Sequence, residues 1–281
     1  MKNFVLSTVI MLLALSPLFS QDDGDKNPVL TERFLIGAGV YFPSQNVDLG
    51  VSGTTDLDEE EIEDIDFDET LGLSGGKTTF NLDFRWRFSK SKKWSVYGEY
   101  FRFNTEESVT LDEEIEWEDV VYPVGVDAKL GYAISLYRVL FGRVISTGQK
   151  HELGAGLGIH GLNTNAFVEG NANIDGQAAG IERSEESIFL PLPNIGAWYI
   201  WAPDTKWSFS AKLDWFGIKI DNISGGLWNI SPGVSYNIGK NFGVNANYQF
   251  LNFNAEVDQD DWKGNFDLSF GGPSFKVFAH F

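Results

Sequence analysis

Large apolar side chains alternate with polar ones along several stretches of the chain. The clearest stretch runs from Phe80 to Phe88, where every even position is apolar and four of the five are aromatic. The odd positions between them hold Asn, Asp and two Arg. Successive strand residues point to opposite faces, so this strand has one apolar and one charged face. The same alternation predicts strands over 126–136, 153–159, 207–215, 242–250 and 274–281.

An apolar, aromatic strand face needs a place that shields it from water. Aromatic residues make up 15% of the chain, although its mean hydropathy is −0.16. A membrane barrel places such a face toward lipid and its charges toward the lumen. The pattern therefore predicts an all-β fold, an antiparallel up-and-down transmembrane β-barrel of about ten strands. Eight or twelve strands stay open, because Val109 to Val121 has room for an added hairpin.

Two predicted strands are irregular. The alternation from Trp94 to Asn104 changes phase near Tyr100, which predicts a β-bulge there. The segment Ser187 to Trp201 is assigned as a strand although Pro191 and Pro193 cannot donate hydrogen bonds to a neighbouring strand.

The connections between strands alternate between short and long. Short turns at 89–93, 145–150, 202–206 and 239–241 carry lysines, whereas 45–76, 105–123, 169–186, 221–226 and 256–263 hold 29 of the 40 carboxylates. Outer-membrane barrels have short periplasmic turns and longer extracellular loops. The division predicts acidic loops outside the cell and both chain ends in the periplasm.

The first twenty residues have the order of a secretory signal peptide. Lys2 precedes an apolar run that ends at Ser16-Pro17, and Ser20 is a small residue suited to cleavage. We expect a signal peptide over 1–20, a short periplasmic segment over 21–32 and the barrel over 33–281. The expected location is the outer membrane.

The last strand puts Phe275, Val277 and Phe281 on one face and ends on an aromatic residue. It resembles the carboxy-terminal strand that the barrel assembly machinery of Gram-negative bacteria reads. The whole chain resembles small monomeric barrels of the outer-membrane protein A type, to whose glycine-rich strands 152–160 is similar. The resemblance implies a monomer whose partners are outer-membrane lipid, lipopolysaccharide and, during biogenesis, the assembly machinery. It implies no catalytic residue.

Composition removes several classes of function. The chain has no Cys, which excludes disulfides and thiolate chemistry, and its net charge of −19 makes nucleic acid an unsuitable partner. The charges on the predicted inner face offer two interpretations, a narrow pore or a charge-paired interior that closes the lumen, and the second is favoured. The predicted lumen residues are Asp83, Arg85, Arg87, Glu99, Asp127, Lys129, Glu152, Lys212, Asp214 and Lys276.

An enzyme or a surface adhesin is the alternative function. A surface protease or lipid-modifying hydrolase built on a barrel needs a His near a carboxylate or Ser at the outer rim. His160 is the candidate nearest to that rim, whereas His151 and His280 fall near predicted periplasmic ends. The segment Asp56 to Glu69 has ten carboxylates in fourteen residues without EF-hand spacing. We expect no cofactor. Loose Ca²⁺ or Mg²⁺ binding is the alternative interpretation of this segment, at Asp56, Asp58, Glu61, Asp64, Asp66 and Asp68. A solvated loop is the favoured interpretation.

Overall fold

The structure, a computed structural model, describes residues 26–53, 65–66, 78–112, 114–117, 120–174, 176–220, 222–258 and 262–281. The described residues contain one short helix, α1 (Pro28–Thr31). The strands are β1 (Phe34–Tyr41), β2 (Ser44–Gly53), β3 (Ile65–Asp66), β4 (Thr79–Arg87), β5 (Trp94–Thr110), β6 (Ile115–Trp117), β7 (Val120–Tyr122), β8 (Asp127–Thr147), β9 (His151–Ile174), β10 (Gln177–Trp201), β11 (Trp207–Ile220), β12 (Ile223–Asn237), β13 (Phe242–Asp258) and β14 (Trp262–His280). Among the described residues, no helix is long and apolar enough to cross a membrane.

The strands form one antiparallel sheet that closes on itself. The order along the ring is β1-β4-β5-β8-β9-β10-β11-β12-β13-β14, and β1 pairs back onto β14 from Leu35↔His280 to Tyr41↔Ser274. β2 continues β1 along the same neighbour, after a break at Phe42-Pro43. With β1 and β2 taken as one interrupted strand, the ring has ten strands, and the predicted fold class is confirmed.

The two ends of the barrel differ. We call the end with the connections 88–93, 148–150, 202–206 and 238–241 the turn end, and the opposite end the loop end. Both described chain ends, near Phe34 and Phe281, lie at the turn end, where their backbones exchange hydrogen bonds.

Two of the connections predicted to be long loops at the loop end are largely strand. Most of 169–186 extends β9 and β10, which are 24 and 25 residues long and pair along their whole length. Much of 105–123 likewise belongs to β5 and to a small hairpin, β6–β7, that pairs with β9 through Val120↔Ile174. Backbone pairing continues in these segments although both strand faces become polar. The alternation of apolar and polar residues is absent there, and the segments were therefore predicted to be loops.

Side chains alternate between an outer and an inner face of the barrel. In β5 and β8, the positions that face inward differ from the predicted ones. In β8 the inner positions are even, so that Leu130, Ile134 and Leu136 are buried. In β5 the odd positions face inward throughout, and its pairing with β8 is continuous past Tyr100, so the predicted bulge is wrong. Register shifts lie instead in β8, between Val144 and Ser146, and in β10, between Ala178 and Gly180.

The reason for both errors is that the barrel interior becomes apolar toward the loop end. Twelve buried side chains from eight segments of the ring form one contiguous group, which we call the apolar cluster: Tyr41, Phe101, Phe103, Ile134, Leu136, Leu162, Leu192, Leu227, Leu251, Phe253, Leu268 and Phe270. Aromatic rings that are distant in sequence meet here, since the ring centroids of Phe103 and Phe270 are 4.8 Å apart. An alternation rule that assigns apolar residues to the outer face therefore fails at this level.

Candidate functional site

The candidate site is the interior of the barrel, beginning at the turn end with α1. Pro at the first helical position and Asn27 before it favour a helix start, and the Asn27 side chain accepts a hydrogen bond from Val29 N at 3.0 Å. The Asn27 amide donates to the carbonyl oxygens of Asp204 and Trp207 at 2.9 and 3.1 Å. Asn27 and Val29 are buried. The helix is thus fixed inside the mouth of the barrel.

Two arginines of β4 hold α1 from inside the barrel. Arg85 donates to the carbonyl oxygen of Val29 at 2.6 Å, and Arg87 donates to the carbonyl oxygen of Glu32 at 2.8 Å. The guanidinium of Arg87 also pairs with Glu152 at 2.7 Å, and the other oxygen of Glu152 accepts from Trp198 Nε1 at 2.9 Å. Arg87 is fully buried. A buried ion pair in which the carboxylate has a further donor satisfies the pairing that burial demands.

A second group of ion pairs crosses the lumen above this level. Arg138 of β8 binds both carboxylate oxygens of Asp214 of β11, at 2.7 and 2.8 Å. Arg138 lies 3.7 Å from Glu99, which also pairs with Lys212. Because β9 and β10 separate β8 from β11 in the ring, the pair joins strands that do not touch through their backbones. These contacts fill the lumen and fix its width.

His160 lies in the same layer, and its side chain has no exposed surface. Its Nδ1 lies 3.1 Å from the Asn194 side-chain oxygen, and its Nε2 lies 3.7 Å from Asp214 and 3.4 Å from the amide of Asn229. A histidine, a carboxylate and two amides thus lie in contact, but Asp214 is already bound by Arg138 on both oxygens. The arrangement is a hydrogen-bonded interior cluster.

Eight of the ten predicted lumen residues lie in the interior. Besides those already described, Lys276 pairs with Asp83 at 2.6 Å across β14, β1 and β4. Asp127 and Lys129 are the exceptions, and placing them in the lumen was wrong. Both lie on the outer face of β8, where Lys129 pairs with the exposed Glu106 at 3.0 Å and Asp127 accepts from Thr110. Ala128, which lies between them, and Leu130 point inward and join the interior packing.

The histidines and the acidic loop are the remaining predicted sites. None of the three histidines of the chain lies at the loop end: His160 is enclosed, and His151 and His280 lie at turn-end strand termini. Of the acidic loop, Asp56, Asp58, Glu61, Asp64 and Asp68 lie outside the described residues, and the backbone of Asp66 pairs with Asp48. In the described part of the chain, no group of three or more metal-ligating side chains is present.

The terminal strand places the predicted assembly signal on the outer surface. Phe275 and Val277 are exposed there, and the ring of Phe281 stacks on that of Phe34 at 5.6 Å. The predicted signal peptide over 1–20 lies outside the described residues.

Several interior residues were missed by sequence reasoning. Arg138 alternates with the outward-facing Tyr137, Val139 and Phe141, so extending the strand analysis beyond position 136 would have identified it. Asn194 follows two prolines, and Asn229 lies among apolar residues, so neither has a comparable local signal. Asn27 was assigned to a periplasmic segment and no role was expected of it.

Comparison with known proteins bears on the fold. No family model and no curated protein matches the sequence. Among solved structures, the chain is similar to the outer membrane protease OmpT from Escherichia coli, with 8% identity, a TM-score of 0.57, and coverage of 89% of this chain and 97% of that one. The outer membrane protein OprG from Pseudomonas aeruginosa also matches, with 13% identity, coverage of 89% and 96%, and a TM-score of 0.38. The fold is that of an outer-membrane β-barrel.

Proposed function

We propose that this protein is an outer-membrane barrel with a closed lumen, whose role is structural and which anchors an acidic extracellular extension. The observation that carries the proposal is that the interior is filled at three successive levels. These are α1 at the turn end, the cross-lumen ion pairs, and the apolar cluster toward the loop end. A narrow pore would need a continuous polar path, and the apolar cluster interrupts it.

The outer surface supports the membrane location. Aromatic side chains gather at the turn end of the outer face, where Phe34 stacks on Trp86 and Trp201 on Phe209. On β11 the exposed Trp207 and Trp215 bracket the apolar outer face, and eight residue steps at about 3.3 Å and a tilt of about 40° give a height of about 20 Å. This height suits the apolar band of an outer-membrane barrel, about 25 Å tall.

The orientation follows from the connections. Short turns belong to the periplasm in outer-membrane barrels, so the turn end is proposed to be periplasmic and the acidic loop end extracellular. Export by the signal peptide, assembly through the carboxy-terminal strand and contact with lipopolysaccharide are part of this proposal. Membership of the outer-membrane protein A type also remains a prediction.

Electrical recording in planar lipid bilayers tests the closed lumen. Purified, refolded protein is expected to insert without producing discrete channel events, whereas a general porin added to the same bilayer gives them. Insertion is verified by protease protection of the barrel in parallel liposomes. Regular conductance steps from the wild-type chain would favour the pore instead.

A role as a surface adhesin is the second candidate, and the length of the strands favours it. β8, β9 and β10 have 21 to 25 residues, about twice what crossing a bilayer requires. Their extension exposes the apolar side chains of Ile181 and Ile188. β10 pairs with β11 only from Ile195 to Trp201, so in the described structure the rest of its edge on that side has no strand partner. Exposed apolar groups on an unpaired edge suit binding to another protein.

An attachment assay with bacteria that display the protein tests this second role. The variant Ile181→Ser/Ile188→Ser and a deletion of 56–69 are compared with Glu182→Gln on the same strand. Loss of cell or matrix binding in the first variant, but not in Glu182→Gln, is expected for an adhesin that uses the extension. Equal attachment of all variants and of cells without the protein would contradict a role as an adhesin.

A further inference from the structure

A small cavity lies in the interior between α1 and the cross-lumen ion pairs. Its volume is about 90 Å³, and its walls include Val29, Arg85, Tyr97, Lys276, Ser231 and Asn247. A cavity needs about 10–15 Å³ to hold one water molecule, so this space accommodates several waters or a small ion. It is too small for a lipid headgroup or a sugar.

Arg85 is the charged group on this wall whose hydrogen bonding is incomplete. Its side chain is buried, with 4% of the residue exposed, and its Nη2 donates to the neutral carbonyl oxygen of Val29. Its Nε is buried without a partner. Among the described residues, no carboxylate lies within ion-pair distance of Arg85. A buried guanidinium in this state lacks the counter-charge that burial normally requires.

The interior carboxylates are committed to other cations. Glu152 pairs with Arg87, Asp83 with Lys276, and Asp214 and Glu99 with Arg138 and Lys212. Among the side chains that face the lumen from the described ring strands between α1 and the apolar cluster, five cations therefore face four carboxylates, and Arg85 is the cation in excess. The guanidinium of Arg87 is a like charge on the same face of β4, which increases the need for an anion.

A second donor is available on the same wall. The buried hydroxyl of Tyr97 lies beside the Arg85 side chain and has no other hydrogen-bond partner, and the ring of Tyr97 is held against Trp198 with centroids 4.8 Å apart. We propose that the cavity binds one small monovalent anion on Arg85, with the Tyr97 hydroxyl as a further donor. A single negative charge balances the interior, whereas a divalent ion would leave it negative. The chemistry fits chloride or a carboxylate of the size of formate.

Thermal unfolding in detergent at pH 8, where histidines are neutral, tests the proposal. Sodium chloride is substituted stepwise for sodium gluconate at constant ionic strength, because gluconate is too large for the cavity. An anion that binds only the folded state raises Tm with its concentration. Wild-type protein is expected to gain several degrees with chloride, and Arg85→Met is expected to lose this response. Arg183→Met removes an exposed arginine at the loop end and should retain it.

Crystals grown in sodium bromide give a second measurement that does not depend on a variant folding. Anomalous scattering should place one bromide within hydrogen-bond distance of Arg85 Nε, and added formate should displace it if the site also takes carboxylates. Retention of bromide in the presence of formate would restrict the site to halides. The absence of an anomalous peak in the cavity would overturn the proposal. An equal chloride response in wild type and Arg85→Met would also overturn it.

Discussion

The Arg138–Asp214 pair joins two sides of the barrel through side chains alone. Arg138 and Asp214 are 2% and 0% exposed, and Asp214 also accepts from Asn194 and Asn229. Removing one member of such a pair leaves the other buried and uncompensated, which costs about 3–5 kcal/mol in soluble proteins. The pair therefore has a larger influence on stability than surface ion pairs of similar geometry.

Asp214→Asn is expected to lower the free energy of unfolding by about 3 kcal/mol, because Arg138 keeps its charge and loses its bidentate partner. The measurement is urea unfolding of the protein in detergent micelles or lipid vesicles, followed by tryptophan fluorescence. Lys129→Gln is the control, since Lys129 and Glu106 are both exposed and their pair should contribute little. Equal stability of Asp214→Asn and the wild type would show that the interior pair does not hold the barrel.

Whether a side chain points into the lumen could be predicted from sequence only where the two faces of its strand differ in polarity. Asp83, Arg85 and Arg87 alternate with outward aromatic residues, and their inward direction could be predicted. Phe101 and Leu136 could not, because apolar side chains on the inner face are indistinguishable in sequence from lipid-facing ones. Lys129 was then assigned inward by the same error. The direction of such residues is settled by packing across the lumen, which the local pattern does not contain.

At the scale of elements, α1 depends on contacts with strands that are distant in sequence. Asn27 reaches the β10–β11 turn, and the Asn237 amide donates to its side-chain oxygen at 3.1 Å. Nothing in the local sequence predicts this docking, because a four-residue helix is too short to be stable alone. The presence of the strands could be predicted from local patterns. The position of α1 could not, because its contacts exist only once the ring has closed.

Asn27→Ala should release α1 from the mouth of the barrel while the strands remain paired. The variant loses the helix cap and the donors to Asp204 and Trp207, and caps alone contribute about 1 kcal/mol. Hydrogen exchange of the Leu30 and Glu32 amides, which donate within α1, should become faster. Exchange in β9 should not change and provides the internal control. Protected α1 amides in the variant would contradict this account.

The β10–β11 turn has a titrating carboxylate outside the membrane-spanning part of the strands. Backbone N–H groups of Trp207 and Lys206 both donate to Asp204 at 2.7 Å, and these bonds lower the pKa of Asp204 below its usual 3.8. A depressed carboxyl pKa contributes stability above the unfolded value, and this contribution is lost as pH falls through the folded value.

Carboxyl-detected NMR titration should therefore give Asp204 a pKa below that of an unstructured aspartate. The Trp207 amide resonance should move with the same midpoint, because its hydrogen bond breaks on protonation. In Asp204→Asn the Trp207 amide should show no such acid transition. A normal Asp204 pKa would contradict the proposed turn geometry.

The whole molecule combines a closed ring with an interior that resembles the core of a soluble protein. Every ring strand has a partner on both sides near the turn end, so the spanning part of the barrel exposes no free edge to lipid. Closed barrels can span membranes for this reason. The sequence predicted the number of strands, their alternating connections and a charge-paired interior, but it did not predict α1 or the apolar cluster inside the ring.

A ring of this kind should resist detergent until it is heated. We expect the folded protein to migrate differently from the boiled protein in a gel containing sodium dodecyl sulfate. Asp214→Asn should convert to the unfolded form at a lower temperature than the wild type, and Lys129→Gln at an unchanged temperature. Identical migration before and after boiling would count against the closed barrel.

The three levels of closure act in series, so removal of one should not open a path. Deletion of 26–32 removes α1 and unblocks the turn end, but the ion pairs and the apolar cluster still fill the lumen. We therefore expect the deletion variant to remain silent in planar bilayers, like the wild type. In this variant, solvent should nevertheless reach the side chains at the level of the Arg87–Glu152 pair. The indole N–H of Trp198, which donates to Glu152, should therefore exchange its hydrogen faster than in the wild type. Channel events after this deletion alone would show that α1 is the only barrier, and that the apolar cluster does not seal the loop end.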